Sequence, residues 1–67
     1  MNIIESIQTA VRTERTITFL YNGEQRTVNA EDLKLPEGKS GYVTGHDLDR
    51  DAVRRFTLSK ISEITVL

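Results

Sequence analysis

The sequence predicts a mainly β fold of the α+β kind, with an N-terminal helix packed on a small five-stranded barrel. Two observations carry that expectation. The hydrophobic period changes from helical spacing to strand alternation between Val11 and Ile17. Four or five short runs rich in β-branched and aromatic residues then follow at close spacing, which suits a small barrel. Length sets a bound: 67 residues hold one domain and one small core, burying only roughly 60% of the surface the unfolded chain exposes.

The helix comes first. Ile3, Ile4, Ile7 and Val11 fall on one face with Ala10 beside them. Asn2 is a good N-cap and Glu5 stands three residues on, as in a capping box, so a helix is expected near Ile3 to Arg12. Thr13-Glu14-Arg15 ends the periodicity.

From Thr16 to Tyr21 the residues are β-branched, aromatic or leucine, with Ile17, Phe19 and Tyr21 on one face. Asn22-Gly23 suits a tight hairpin turn, because both residues tolerate positive φ. Gln25 to Asn29, carrying Val28, is then the returning strand. Asp32 to Leu35 alternates like a short strand, and Pro36 to Ser40 reads as a turn. Tyr42-Val43-Thr44 is a further strand between Gly41 and Gly45, and His46 to Asp51 reads as an exposed polar loop. Val53 to Leu58 is the next strand, with Phe56 and Leu58 on one face. A helical turn over Ser59 to Ser62 leads to a closing strand at Ile64 to Val66. Ile7, Val11, Ile17, Phe19, Val28, Val43, Phe56, Leu58, Ile61 and Ile64 form the expected core.

Composition excludes several function classes. Nine basic and ten acidic side chains give a net charge of −1, whereas a protein that grips duplex DNA over its whole surface is clearly basic. A local basic patch is still open: Arg50, Arg54, Arg55 and Lys60 crowd the C-terminal third. No cysteine is present, so neither a disulfide framework nor a thiolate metal site is available, and a reducing cytoplasmic setting fits. The start shows no signal-peptide pattern, and no apolar run approaches the ~20 residues of a membrane span. A soluble chain is expected, with no membrane partner.

The order of features resembles the WYL domain of bacterial transcription regulators, over about Ile3 to Val66. The residues that carry the resemblance are Ile17-Thr18-Phe19-x-Tyr21 with Asn22-Gly23, Arg26-x-Val28, Gly41-Tyr42-Val43, and Val53-Arg54-Arg55-Phe56-Thr57-Leu58-Ser59-Lys60-Ile61. The last stretch is the most specific, since the family typically has Arg-x-Phe-x-Leu-Asp-Arg-Ile there. Gly41 and Val43 replace the Trp and Leu of the family's Trp-Tyr-Leu triplet, and Ser59-Lys60 replaces Asp-Arg, losing the planar guanidinium fork. The resemblance implies a small Sm-like or SH3-like barrel and a regulatory or sensing role. The 67 residues hold no winged helix of the kind that usually precedes a WYL domain, so direct promoter recognition is not expected of them.

The resemblance also implies a basic pocket for a nucleotide, an oligonucleotide or another anionic effector. The positions that carry over are Tyr42, Arg50, Arg54 and Lys60 and, less closely, Arg26. Guanidinium groups hold phosphate oxygens bidentately, and a tyrosine ring gives a base something to stack on. Strand parity places Arg54 with Phe56 and Leu58 at the edge of the core, and Arg55 toward solvent. The bland alternative is solvated charges paired with Asp47, Asp49, Asp51 and Glu63. His46, the sole histidine, is a surface residue or a further phosphate contact whose charge follows pH.

Catalysis, cofactors and metals find no footing. Asp47-x-Asp49-x-Asp51 has Ala52 and Leu58 where a calcium loop needs Gly and Glu. No His-carboxylate-Ser trio or Gly-rich phosphate loop stands out. Two function classes remain. One is a regulatory module binding a single-stranded nucleic acid or a nucleotide-like anion. The other is a protein-interaction or homo-oligomer domain that pairs through barrel edge strands.

Overall fold

The Asn2 side chain accepts a hydrogen bond from the Glu5 N–H at 2.8 Å and starts helix α1, Ile3–Arg12. This computed structural model describes residues 2–67. The helix buries Ile7 and Ala10 completely and ends at Thr13. Strands β1 (Thr16–Tyr21) and β2 (Glu24–Lys34) form an antiparallel hairpin around Asn22-Gly23, with both turn residues at positive φ. β3 (Tyr42–Asp47) and β4 (Ala52–Thr57) form a second hairpin, a 3-10 turn at Leu58–Lys60 redirects the chain, and β5 (Ile61–Val66) returns beside β1.

The five strands form one antiparallel sheet in the order β4-β3-β2-β1-β5. The expected barrel does not close. β4 and β5 are its two edges, and no backbone ladder joins them. A side chain spans the gap instead: the Tyr21 hydroxyl accepts a hydrogen bond from the Thr57 N–H at 3.2 Å. The sheet curls through a register shift in β2, between Ala30 and Asp32, and another in the β1–β5 pair.

One face of the curled sheet holds the core. Ile17, Phe19, Val28, Ala30, Val43 and Phe56 meet Ile7 and Ala10 of the helix and Ile61 of β5. The expected core is otherwise accurate, except that Val11, Leu58 and Ile64 are half-buried at its rim. Phe19, Tyr21 and Phe56 pack edge-to-face, with centroids 5.1 to 6.4 Å apart.

Strand boundaries differ from expectation in several places. β4 ends at Thr57 and the helical turn falls earlier, at Leu58–Lys60, so β5 starts at Ile61 rather than Ile64, where Tyr21 and Leu20 pair with Ile61 and Ser62. β2 runs on through the polar Glu31-Asp32, because a bulge absorbs the break in alternation and joins the expected short strand to its predecessor. β3 continues through Gly45, His46 and Asp47, which the sequence assigns to a loop. The loop shortens because Val28 pairs with Asp47 and Asn29 with His46.

Candidate functional site

The curvature of the sheet brings part of the basic group to one side. Arg26 pairs with Phe19, and Arg54 pairs with Gly45, so both occupy the face that carries the core. Lys60 ends the 3-10 turn beside the same seam, and Arg50 sits in the β3–β4 turn.

These cations are not equivalent. Arg26 is largely buried, with 15% of its side chain exposed, and binds Glu24 at 3.1 Å. Its Nε is buried without a hydrogen-bond partner. The Arg50 Nε lies 3.9 Å from Asp47. Arg54 and Lys60 are exposed, and neither forms an ion pair among the described residues. Arg54 therefore shares the core face, as parity implies, but lies in solvent rather than at the core's edge. β4 is an edge strand whose first four residues are exposed.

Lys60 precedes Ile61, which pairs with Tyr21, and Arg54 shares a strand face with Phe56, which packs on the Tyr21 ring. The Thr57 N–H bonded to its oxygen holds the Tyr21 phenol below its ordinary value, burial opposes this, and the charges of Lys60 and Arg54 lower it further. Sequence reasoning missed Tyr21 as part of this surface. Its shared parity with Phe19 was visible, but the reach across the seam to β4 depends on sheet curvature.

Asp47 also departs from expectation. It reads as part of a solvated acidic turn, yet it is 0% exposed. One carboxylate oxygen accepts the Asp49 N–H at 3.0 Å, and the other has no hydrogen-bond partner, facing Arg50 at 3.9 Å. Nothing in a run of three alternating aspartates marks one of them as buried.

Tyr42 and His46 go to the opposite, outer face, because they alternate with buried Val43, Gly45 and Asp47. The Arg55 guanidinium covers the Tyr42 ring, 4.2 Å from its centroid. A base stacking on that ring would have to displace Arg55 or stack upon it. The His46 Nε2 lies 3.0 Å from Asp51 Oδ1. The candidate residues thus divide into Arg26, Arg50, Arg54 and Lys60 on one side, and Tyr42 and His46 on the other. Among the described residues, no group of three His, Asp or Glu side chains could hold a metal ion, and no helix is long and apolar enough to cross a membrane.

Residues 2–66 match the WYL domain. The chain belongs to the WYL domain family. WYL domains are regulatory rather than enzymatic modules, which points to a regulatory or sensing role. A search of curated proteins finds no match. A Cβ on Gly41 would stand 2.8 Å from the Lys34 carbonyl oxygen, 2.9 Å from Leu35 Cδ2 and 3.0 Å from Leu58 Cδ1. Leucine side chains and β2 backbone crowd that position.

Proposed function

We propose that this WYL domain is a regulatory module that senses a single-stranded nucleic acid segment, or a nucleotide-like anion, at the Arg54–Lys60 surface. One observation carries the reading: Arg54 and Lys60, two exposed cations without ion-pair partners among the described residues, sit next to residues that pair with or pack on Tyr21 at the seam of the sheet. An anionic ligand would give both cations a partner. Arg54 contributes a planar fork suited to two phosphate oxygens, whereas Lys60 acts as a point charge. Arg50 and Arg26 extend the positive side of the sheet, each held by an acidic neighbour.

The surface is open, so phosphates of an extended strand can reach both cations without a conformational change. The test is fluorescence anisotropy with short single-stranded DNA and RNA at low and moderate salt. Binding that weakens as salt rises is expected, since phosphate contacts release counterions. Absence of binding at low salt by either oligonucleotide would contradict nucleic acid recognition, and titration with a mononucleotide would then test the small-anion form.

A further inference from the structure

The chain has three asparagines, and the structure treats them differently. The Asn2 side chain caps α1, accepting from the Glu5 N–H and donating to the Glu5 carboxylate. The Asn29 side-chain oxygen accepts the Thr16 hydroxyl, and the buried Ala30 follows it in the middle of β2. Asn22 differs on each count. It is exposed in the first hairpin turn, and its side chain has no hydrogen-bond partner among the described residues. Gly23 follows, with nothing within 4 Å of the place where a Cβ would stand. Among the described residues no backbone hydrogen bond holds the Gly23 N–H either. A side-chain amide thus stands next to a backbone nitrogen that is both free and unhindered.

We propose that Asn22 is a site of spontaneous modification, converted to aspartate and isoaspartate with water as the co-reactant. The Gly23 nitrogen forms a bond to Asn22 Cγ and gives its proton to solvent. The Cγ–Nδ2 bond breaks and ammonia leaves, closing a five-membered imide. Water then opens the ring. Cleavage between Cγ and the Gly23 nitrogen leaves aspartate, whereas cleavage at the Asn22 backbone carbonyl leaves isoaspartate. Asn22 and Gly23 lie at φ 51° and 83°, so the turn must open for the nitrogen to reach Cγ, and local opening of the hairpin end sets the pace. The products act at the seam. The Asn22 N–H donates to the Lys60 carbonyl at 3.2 Å, and Tyr21 immediately precedes Asn22. Aspartate keeps the turn, because Asp-Gly suits it as Asn-Gly does, and adds a negative charge at a residue bonded to Lys60. Isoaspartate lengthens the backbone of a two-residue turn, which misaligns the pairing of Tyr21 with Glu24. On the ligand reading above, either product weakens anion binding, a loss that accumulates as the molecule ages.

Incubation of the folded chain at physiological temperature, at neutral and mildly alkaline pH, followed by tryptic mass mapping tests the inference. Cleavage after Arg12, Arg15, Arg26 and Lys34 puts each asparagine in its own peptide. Peptide 16–26, which holds Asn22, should gain the mass of an amide-to-acid conversion and split into two isomers of that mass. The gain should be faster at the higher pH, where the Gly23 nitrogen loses its proton more readily. The peptides of Asn2 and Asn29 should lag far behind, and Asn22→Gln, which would need a six-membered ring, should stay unconverted. In anisotropy with a short single-stranded oligonucleotide, Asn22→Asp should weaken binding about twofold to threefold at low salt. A folded chain whose peptide 16–26 keeps its mass, or whose Asn2 or Asn29 converts as fast as Asn22, would overturn the inference. Unchanged affinity in Asn22→Asp would overturn the effect on the ligand surface, and absence of binding by the wild type would overturn the ligand reading with it.

Discussion

Tyr21 reaches from β1 to the Thr57 N–H of β4, and this single side-chain bond stands where a closed barrel would have a backbone ladder. The contact leaves a spectroscopic trace. Tyr21 and Tyr42 are the two tyrosines, so in Tyr42→Phe the ultraviolet titration reports Tyr21 alone. Its midpoint should lie below the ordinary value near 10, and Arg54→Ala with Lys60→Ala should move it upward. The sign for stability follows. A lowered folded-state pKa adds stability as pH rises through that value toward the unfolded one, and the contribution is lost as pH falls back through it. A midpoint unmoved by removing both cations would separate them from Tyr21.

Phe56 is 2% exposed and packs edge-to-face on both Phe19 and Tyr21. Phe56→Ala should cost ~3–5 kcal/mol, a large share of the ~5–15 kcal/mol typical of small domains. Thermal melting checks it, and an unchanged midpoint would show that the aromatic trio does not support the fold.

At Gly45 the backbone of β2 leaves no room for a side chain on β3. A Cβ there would strike the Asn29 carbonyl oxygen and come within 2.6 Å of Val28 Cγ1. Gly45→Ala should therefore destabilise by ~1–3 kcal/mol, as overpacking does. Gly41→Trp, which introduces the aromatic that the resemblance implies there, should also destabilise, because Leu35 and Leu58 already crowd that position. Denaturant unfolding of both variants measures the losses. A stabilised Gly41→Trp would mean that the site can reopen to admit the ring.

Local chemistry made much of the fold legible. Asn2 and Glu5 marked the start of the helix, Asn22-Gly23 the first hairpin, and the parity of Ile17, Phe19 and Phe56 the core face. What stayed hidden depends on contacts between distant elements. The extension of β3 through His46 and Asp47 comes from pairing with Val28 and Asn29, not from any apolar signal of its own. Barrel closure could not be read, since it turns on whether β4 meets β5 across a gap that Tyr21 fills. At the candidate site, parity gave the face of Arg54 correctly but not its depth, because an edge strand exposes both faces. The Arg55–Tyr42 stack joins residues on neighbouring strands and needed the register to become visible.

Glu14 offers a stabilising change. α1 ends with the Arg15 N–H donating to Ala10 at 2.8 Å and the Glu14 N–H to Val11 at 3.4 Å, while Glu14 itself sits at φ 55°. That left-handed cap position favours glycine. Glu14→Gly should raise stability by about 0.5–1 kcal/mol, the relief of strain less the added chain entropy. A lower melting temperature would mean that the Glu14 side chain holds the helix end in some other way.

The most direct test of the ligand surface compares Arg54→Ala, Lys60→Ala and Arg55→Ala in anisotropy titrations with a short single-stranded oligonucleotide at low salt. Arg54 lies on the core face with Phe56 and Lys60 precedes Ile61 beside Tyr21, whereas Arg55 lies on the outer face over Tyr42. Loss of Arg54 should weaken binding by about 1.5–3 kcal/mol, as for hydrogen bonds to a charged group. Lys60→Ala should also weaken it and reduce the salt dependence. Arg55→Ala should leave affinity close to wild type. Equal losses in all three variants, or a larger loss for Arg55 than for Arg54, would contradict a ligand surface at the seam.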